Sequence, residues 1–206
     1  MDAQTADILV VCTGNICRSP YIEHVLRAEL DRAWGPGAVR VRSAGTRAED
    51  GRPASPPTDV RLRARGLDAT AFGSRRVSAD DVRGADLVLT ATKAHRGEVV
   101  QLHPGALRRV FTFRELGLLA AELPEASLPA TQQAGQWVRE VTSTLAALRG
   151  QVPSTDIDIV DPYRREDVVY DRMEQQVTDV LPWVLRALTG REASGGATAG
   201  GPVAAG

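Results

Sequence analysis

Residues 10–20, VVCTGNICRSP, decide the fold of this chain. The apolar run that leads into Cys12 predicts a short buried parallel strand over residues 8–11, and Pro20 opens a helical pattern. A strand, a tight polar loop and a helix start, in that order, aim several backbone N–H groups and the positive end of the helix dipole at one point. The sequence therefore predicts an anion-binding loop with a thiol at its start and a guanidinium, Arg18, at its end.

The side chains of this loop suit phosphate-ester chemistry. Cys12, at a helix N-terminus beside an arginine, is expected to be held largely as the thiolate, which can attack phosphorus and form a phosphocysteine. Arg18 is expected to hold two phosphoryl oxygens, and Ser19 to donate a hydrogen bond to the sulfur. Cleavage also needs a proton for the leaving oxygen, and Asp161, in a Pro-containing loop far along the chain, is the best candidate for that acid.

Other interpretations of the loop stay open at this point. The spacing C-x5-R occurs by chance, and a cysteine after a strand is often a small core residue. Cys12 and Cys17 have no further cysteine to complete a thiolate zinc site, so no metal is predicted. Gly14 and Asn15 suit a loop that needs positive φ, because both residue types tolerate it.

The rest of the chain predicts an α/β fold: a three-layer sandwich with a four-stranded parallel sheet and helices on both faces. Turn-forming residues over 47–57 predict irregular structure there, and residues 132–148 predict an additional helix. Apolar residues from Val169 to Leu188 predict one long final helix kinked at Pro182. Further strands are predicted over residues 39–43, 86–90 and 110–113, and further helices over residues 20–33, 58–65, 78–81, 92–102 and 116–123. The Gly/Ala-rich residues 191–206 predict a disordered tail after a single domain over residues 1–190.

Composition narrows the function classes. The chain has 206 residues and a formal net charge of −1, so no general attraction to nucleic acid or to a membrane surface is expected. Its two cysteines do not form a disulfide framework, and the acidic, polar N-terminus is unlike a secretory signal. A cytoplasmic location is therefore expected, and no cofactor is implied.

Three motifs in a fixed order resemble those of the bacterial low-molecular-weight protein tyrosine phosphatases. They are VCTGNICRSP at residues 11–20, SAGT at residues 43–46 and DPY at residues 161–163. The resemblance covers roughly residues 6–113 and 156–189. It implies a phosphotyrosine-protein phosphatase that also hydrolyses small aryl phosphates through a phosphocysteine intermediate.

The resemblance also implies residue roles. Cys12 would be the nucleophile, Arg18 the phosphate clamp and Asp161 the general acid and then the base, while Ser43 would fix the loop asparagine, Asn15. The phosphate-binding loop would comprise Thr13, Gly14, Asn15, Ile16, Cys17, Arg18 and Ser19. The substrate cleft would be lined by Ile16, Arg47 and Tyr163. A reversible disulfide between Cys12 and Cys17 is implied as an oxidation switch, with a simply packed thiol at Cys17 as the alternative.

Several alternatives and departures accompany this resemblance. Arsenate reduction would need cysteines downstream of Cys17, and there are none. Protein-arginine phosphatases of the same fold place threonine where this chain has Ile16, which suits an aryl phosphate better. A non-catalytic phosphate-binding module would be expected to lack the nucleophile, the arginine or the acid. The helical insertion at about 115–155 could be a lid, a partner surface or a decoration, and decoration is favoured. The expected partner is a phosphotyrosine protein, such as a bacterial tyrosine kinase, and the expected state is a monomer or weak dimer.

Overall fold

Four short strands form one parallel sheet in the computed structural model, which describes residues 4–151 and 155–191. The strands are β1 (Ala6–Cys12), β2 (Val39–Gly45), β3 (Leu87–Thr90) and β4 (Val110–Thr112). They lie in the order β2-β1-β3-β4, and each neighbouring pair is parallel. β1 is buried along its whole length, as a central strand covered on both faces must be. The predicted four-stranded parallel sheet is confirmed.

Helices cover both faces of this sheet. In the described part of the chain they are α1 (Arg18–Trp34), α2 (Pro56–Ala64), α3 (Ala79–Gly84), α4 (Lys93–Leu102), α5 (Phe113–Ala121), α6 (Ala134–Ala147), α7 (Asp167–Thr178) and α8 (Leu181–Thr189). Successive β1 side chains point to opposite faces, so Ile8 and Val10 join the larger core with α1 and α5 to α8. Leu9 and Val11 join a smaller core with α3 and α4. The predicted three layers are therefore present.

The single kinked helix predicted at the C-terminal end is wrong. The structure has two helices, because α7 ends at Thr178 and α8 begins at Leu181. Pro182 lies in the first turn of α8, where a proline has no helical N–H bond to break. Of the predicted disordered tail only Arg191 falls among the described residues.

The prediction of wholly irregular structure over 47–57 is also wrong at its end. Pro56 and Pro57 form the first turn of α2, another position where the missing N–H groups cost nothing. The turns before them match the prediction.

The additional helix at 132–148 exists as α6 and lies far from the start of α1. Its Arg139 donates a hydrogen bond to the Thr5 carbonyl, which precedes β1, and pairs with Asp86, which precedes β3. Trp137 and Val141 of the same helix are buried in the larger core. The helix therefore packs at the edge where the strands begin, and it is not a lid over the edge where they end.

Candidate active site

The strand order places a crevice at the carboxyl ends of β1 and β3. The chain leaves β1 toward β2 on one side, whereas β3 and β4 lie on the other, and such a reversal of order opens a binding crevice in parallel sheets. Cys12 is the last residue of β1, and Arg18 is the first residue of α1. The five residues between them form the loop at this crevice.

The loop has unused backbone donors. The N–H groups of residues 13–18 donate no hydrogen bond to any acceptor in the described part of the chain. The loop has the positive φ that these residues suit: Asn15 takes a left-handed φ of 53°, whereas Gly14 does not take one. A run of free N–H groups at a helix N-terminus is what an oxyanion requires.

A closed hydrogen-bond network fixes the loop from within. The buried Asn15 amide donates from Nδ2 to Ser19 Oγ at 2.9 Å and to Ser43 Oγ at 2.7 Å. Its Oδ1 accepts from the Arg75 backbone N–H at 3.0 Å. Ser43 in turn donates to the buried carboxylate of Glu23. The contact between Asn15 and Ser43 is the one that the family resemblance implies; Glu23 and Arg75 were not predicted.

The glycine of SAGT lets β2 approach this loop closely. A Cβ at Gly45 would lie 2.4 Å from the Thr13 carbonyl oxygen and 2.9 Å from the Asn15 nitrogen. The same approach allows the Thr46 and Arg47 N–H groups to donate to the carbonyls of Cys12 and Thr13, each at 2.9 Å. Any side chain at Gly45 would therefore push the loop away from the sheet.

Ser19 directs a proton at the sulfur of Cys12. The Cys12 Sγ and Ser19 Oγ atoms are 3.0 Å apart. Because Ser19 Oγ already accepts from the Asn15 amide, its own proton is available for the sulfur. A hydrogen bond of this kind stabilises a thiolate and makes it a better leaving group.

Arg18 lies under the crevice, with 4% of its surface exposed. Its Nη1 donates to the Ile159 carbonyl at 3.4 Å, and its Nη2 donates to Thr13 Oγ1 at 3.4 Å. Nη2 also pairs with Asp161 Oδ2 at 3.1 Å. The buried Nε has no hydrogen-bond partner within the described residues, so the guanidinium keeps an unused donor.

The loop that carries Asp161 is fixed to three other parts of the protein. The Ile159 N–H donates to the Ala91 carbonyl at 2.8 Å, just after β3. The Val160 N–H donates to Gln176 Oε1 on α7 at 2.8 Å. Together with Arg18 these contacts bring Asp161, remote in sequence, to the crevice, where its side chain is 54% exposed.

His95 is a buried residue of the site that the motifs did not reveal. Its Nε2 lies 2.8 Å from Thr13 Oγ1, and its Nδ1 lies 2.8 Å from Thr92 Oγ1, the N-cap of α4. Burial, followed by the positive charge of Arg18, lowers the pKa of His95 to about 4. The ring is therefore neutral at neutral pH and can hold the Thr13 hydroxyl beside Arg18 without adding charge.

Cys17 points away from solvent behind the loop. Its thiol donates to Ser55 Oγ at 3.3 Å and lies 3.5 Å from the Tyr170 hydroxyl. Burial raises the pKa of Cys17, so it is a thiol at neutral pH. Both Cys12 and Cys17 are free cysteines in this structure.

The crevice is a cleft of about 200 Å³ that gathers the predicted residues. Ile16 is buried at its wall, whereas Arg47 and Tyr163 are exposed at its rim. The remaining lining residues are Cys12, Thr13, Gly14, Cys17, Arg18, Glu49, Arg52 and Asp161. Over residues 4–151 and 155–191, no group of three histidine, cysteine or acidic side chains could hold a metal ion.

Comparison with known proteins identifies the family. The family model described as "Low molecular weight phosphotyrosine protein phosphatase" matches residues 7–125, more than half of the chain. The chain belongs to this family. The match contains Cys12, Arg18 and His95 but ends before Asp161, whose place in the site rests on the contacts described above.

Curated relatives of this phosphatase family carry two activities in their names. "Probable low molecular weight protein-tyrosine-phosphatase EpsP" from Ralstonia solanacearum is 38% identical over 109 residues, which are 53% of this chain and 71% of the relative. A "Protein-arginine-phosphatase" from Geobacillus stearothermophilus is 36% identical over 108 residues, 52% of this chain and 69% of the relative.

Solved structures extend the likeness to the C-terminal part of the chain. Vibrio vulnificus Wzb in complex with benzylphosphonate matches with a TM-score of 0.59 at 26% identity, over 85% of this chain and 94% of that chain. The YwlE arginine phosphatase from Geobacillus stearothermophilus matches with a TM-score of 0.60 at 25% identity, over 90% and 91%. Among the described residues, no helix is long and apolar enough to cross a membrane.

Proposed function

We propose that this member of the family hydrolyses phosphotyrosine in proteins, and small aryl phosphates, through a phosphocysteine intermediate. One observation carries the proposal. The buried Cys12 begins a loop whose backbone N–H groups, at residues 13–18, are unused, and the buried Arg18 closes the loop. These groups together fit a phosphoryl group with a nucleophile directly beneath its phosphorus.

In the first step the Cys12 thiolate forms the S–P bond as the bond from phosphorus to the phenolic oxygen breaks. Arg18 and the loop N–H groups stabilise the charge on the three equatorial oxygens. Because Arg18 Nη2 contacts Asp161 in the free site, the arriving phosphoryl group takes over this donor. The released carboxyl group of Asp161, in its protonated form, gives its proton to the leaving oxygen.

In the second step Asp161 acts as the base. Its carboxylate takes a proton from a water molecule, which forms a P–O bond while the S–P bond breaks. Inorganic phosphate leaves and the Cys12 thiolate is restored. Ser19 supports this step because its proton, 3.0 Å from the sulfur, stabilises the departing thiolate.

Steady-state hydrolysis of aryl phosphates tests the proposal. Wild type should hydrolyse p-nitrophenyl phosphate in the presence of a chelator, and Cys12→Ser should be inactive. Asp161→Asn should lose about 10²-fold to 10³-fold in kcat on phenyl phosphate. It should lose less on p-nitrophenyl phosphate, because nitrophenolate leaves without a proton.

Glu166→Gln is the matched control for Asp161→Asn, because Glu166 is an exposed acid in the following turn. Its rates should equal those of wild type. An inactive wild type would refute the proposed phosphatase activity. An active Cys12→Ser variant would refute the role of Cys12 as the nucleophile. Equal losses on the two substrates would remove Asp161 from the acid role.

Phosphoarginine is the second candidate substrate, because a relative named as an arginine phosphatase is nearly as similar as those named for phosphotyrosine. The apolar side chain of Ile16 at the cleft wall favours a phosphorylated ring. Wild type should therefore show a higher kcat/KM on a phosphotyrosine peptide than on the phosphoarginine peptide of the same sequence. The reverse order would transfer the proposal to phosphoarginine.

The partner, location and assembly predicted from the sequence stay part of this proposal. The substrate is a phosphotyrosine protein, with a bacterial tyrosine kinase as the first candidate. Trapping with Cys12→Ser, followed by mass spectrometry, would identify it. A cytoplasmic location and a monomer or weak dimer are the corresponding expectations.

A further inference from the structure

A second groove lies beside the catalytic cleft. It has a volume of about 270 Å³ and shares Ile16, Arg52 and Tyr163 with the cleft. The Tyr163 side chain, 41% exposed, borders both cavities. Because successive residues of an extended peptide lie about 3.5 Å apart, a phosphotyrosine in the cleft brings its sequence neighbours to this groove.

The chemistry of the groove differs from that of the cleft. One wall is the segment Pro53–Ala–Ser–Pro–Pro57, whose prolines have no N–H groups to offer. The charged residues that line the groove are Arg52 and Arg164, and no carboxylate lines it. The carboxylates of Glu49 and Asp161 line the catalytic cleft instead. An anionic side chain is therefore complementary to the groove.

Arg164 is held toward this groove by its backbone and its ring contact. Its φ of 57° is left-handed, a conformation that non-glycine residues rarely adopt. The guanidinium lies 5.1 Å from the centre of the Tyr163 ring. Within the described residues it makes no ion pair, whereas Arg52 is already paired with Glu49 at 3.6 Å. Arg164 therefore has an uncompensated charge.

We propose that this groove is a second recognition site that binds an acidic side chain adjacent to the phosphotyrosine of the substrate, with Arg164 supplying the charge. The inference rests on the proposed phosphotyrosine phosphatase activity. It adds a sequence preference to that activity, because the loop that carries the general acid also carries the arginine.

Matched phosphotyrosine peptides test the preference. The set has glutamate, alanine or lysine on the N-terminal or the C-terminal side of the phosphotyrosine and is otherwise identical. Each kcat/KM is divided by that for p-nitrophenyl phosphate, which is too small to extend into the groove, so effects on the chemistry cancel. At low salt, wild type should prefer a glutamate peptide to its alanine counterpart by about 5-fold, the size of a good exposed ion pair.

Two charge-reversal variants distinguish a local effect of the groove from the overall electrostatic field of the protein. Arg164→Glu should abolish the preference or turn it toward the lysine peptide. Arg165→Glu is the matched control, because Arg165 is an adjacent exposed arginine that does not line the groove, and it should keep the preference.

The outcomes of this experiment are distinct. An active enzyme without acidic preference, an unchanged preference in Arg164→Glu, or an equal loss in Arg165→Glu would each overturn this inference and leave the proposed function standing. Failure of wild type to hydrolyse p-nitrophenyl phosphate would overturn the proposed function.

Discussion

Asn15 supports the loop in two separable ways, through its backbone and through its side chain. Its φ of 53° is in the left-handed region, which glycine adopts freely and alanine does not. Its amide makes three hydrogen bonds, to Ser19, Ser43 and the Arg75 backbone. Asn15→Gly therefore removes the hydrogen bonds and keeps the backbone preference, whereas Asn15→Ala loses both.

The magnitudes follow from these contacts. Each hydrogen bond of the buried network contributes about 1 kcal/mol, so Asn15→Gly should lower the free energy of unfolding by about 3 kcal/mol. Asn15→Ala should lower it by about 4 kcal/mol, since alanine adds about 1 kcal/mol for the left-handed backbone. For a domain of this size these losses correspond to melting temperatures lower by roughly 9 °C and 12 °C.

Urea unfolding and p-nitrophenyl phosphate hydrolysis would measure both effects. Each variant should also lose kcat, because Ser19 is no longer oriented toward the Cys12 sulfur. Arg164→Gly is the control for the backbone effect, since Arg164 shares the left-handed φ without a side-chain hydrogen bond, and its stability should stay within about 1 kcal/mol of wild type. Wild-type stability in Asn15→Gly would refute the network argument, and equal stability of the glycine and alanine variants would refute the backbone argument.

Three further predictions concern His95, Tyr21 and Cys17. The pKa of His95 is lowered to about 4 in the folded protein, whereas the unfolded chain has the ordinary value of 6.5. Between pH 6.5 and pH 4 the unfolded state therefore binds more protons, so the stability of the fold decreases as the pH decreases. From pH 7 to pH 5, wild type should therefore lose about 2 kcal/mol more unfolding free energy than His95→Gln, and parallel pH curves would contradict this. Tyr21→Phe removes a hydroxyl that donates to Glu174 at 2.7 Å, and it should cost about 1 kcal/mol in urea unfolding with kcat retained; an unchanged midpoint would show that the contact is not stabilising. After brief peroxide treatment, wild type should regain more activity with dithiothreitol than Cys17→Ser, because the Cys17 thiol can condense with a Cys12 sulfenic acid and release water; equal recovery would leave Cys17 as a packed thiol.

The sequence predicted those parts of the site that depend on local patterns. The loop from Cys12 to Arg18 is defined by the strand before it and the helix after it, so its shape follows from neighbouring residues. The sequence also favoured a positive φ in this loop, which Asn15 takes and Gly14 does not, because a glycine permits positive φ without requiring it. Pro182 begins a helix instead of kinking one, and sequence periodicity alone does not separate these outcomes.

Residues whose role depends on a distant partner were missed. His95 carries no motif, and only the pairing of β1 with β3 brings it to Thr13. In the sequence, Glu23 does not differ from the other polar residues of α1. Its role follows from its contact with Ser43, which lies on β2. The glycine of SAGT was part of a motif, but the reason for it is the closeness of the Thr13 carbonyl, which lies in the loop after the neighbouring strand.

The loop that carries Asp161 combines a fixed backbone with a half-exposed carboxylate. Hydrogen bonds from Arg18, to the Ala91 carbonyl and to the Gln176 amide hold residues 159–160 from three directions. The side chain of Asp161, just beyond them, is half-exposed; Oδ2 pairs with Arg18, and Oδ1 accepts a hydrogen bond from the Tyr163 N–H at 3.3 Å. A phosphoryl group that displaces this carboxylate from Arg18 therefore needs only a side-chain rotation, with no closure of the loop. Under the proposed function, the same displacement would leave Asp161 beside the bond to be cleaved, so substrate binding would set the proposed acid in its working position.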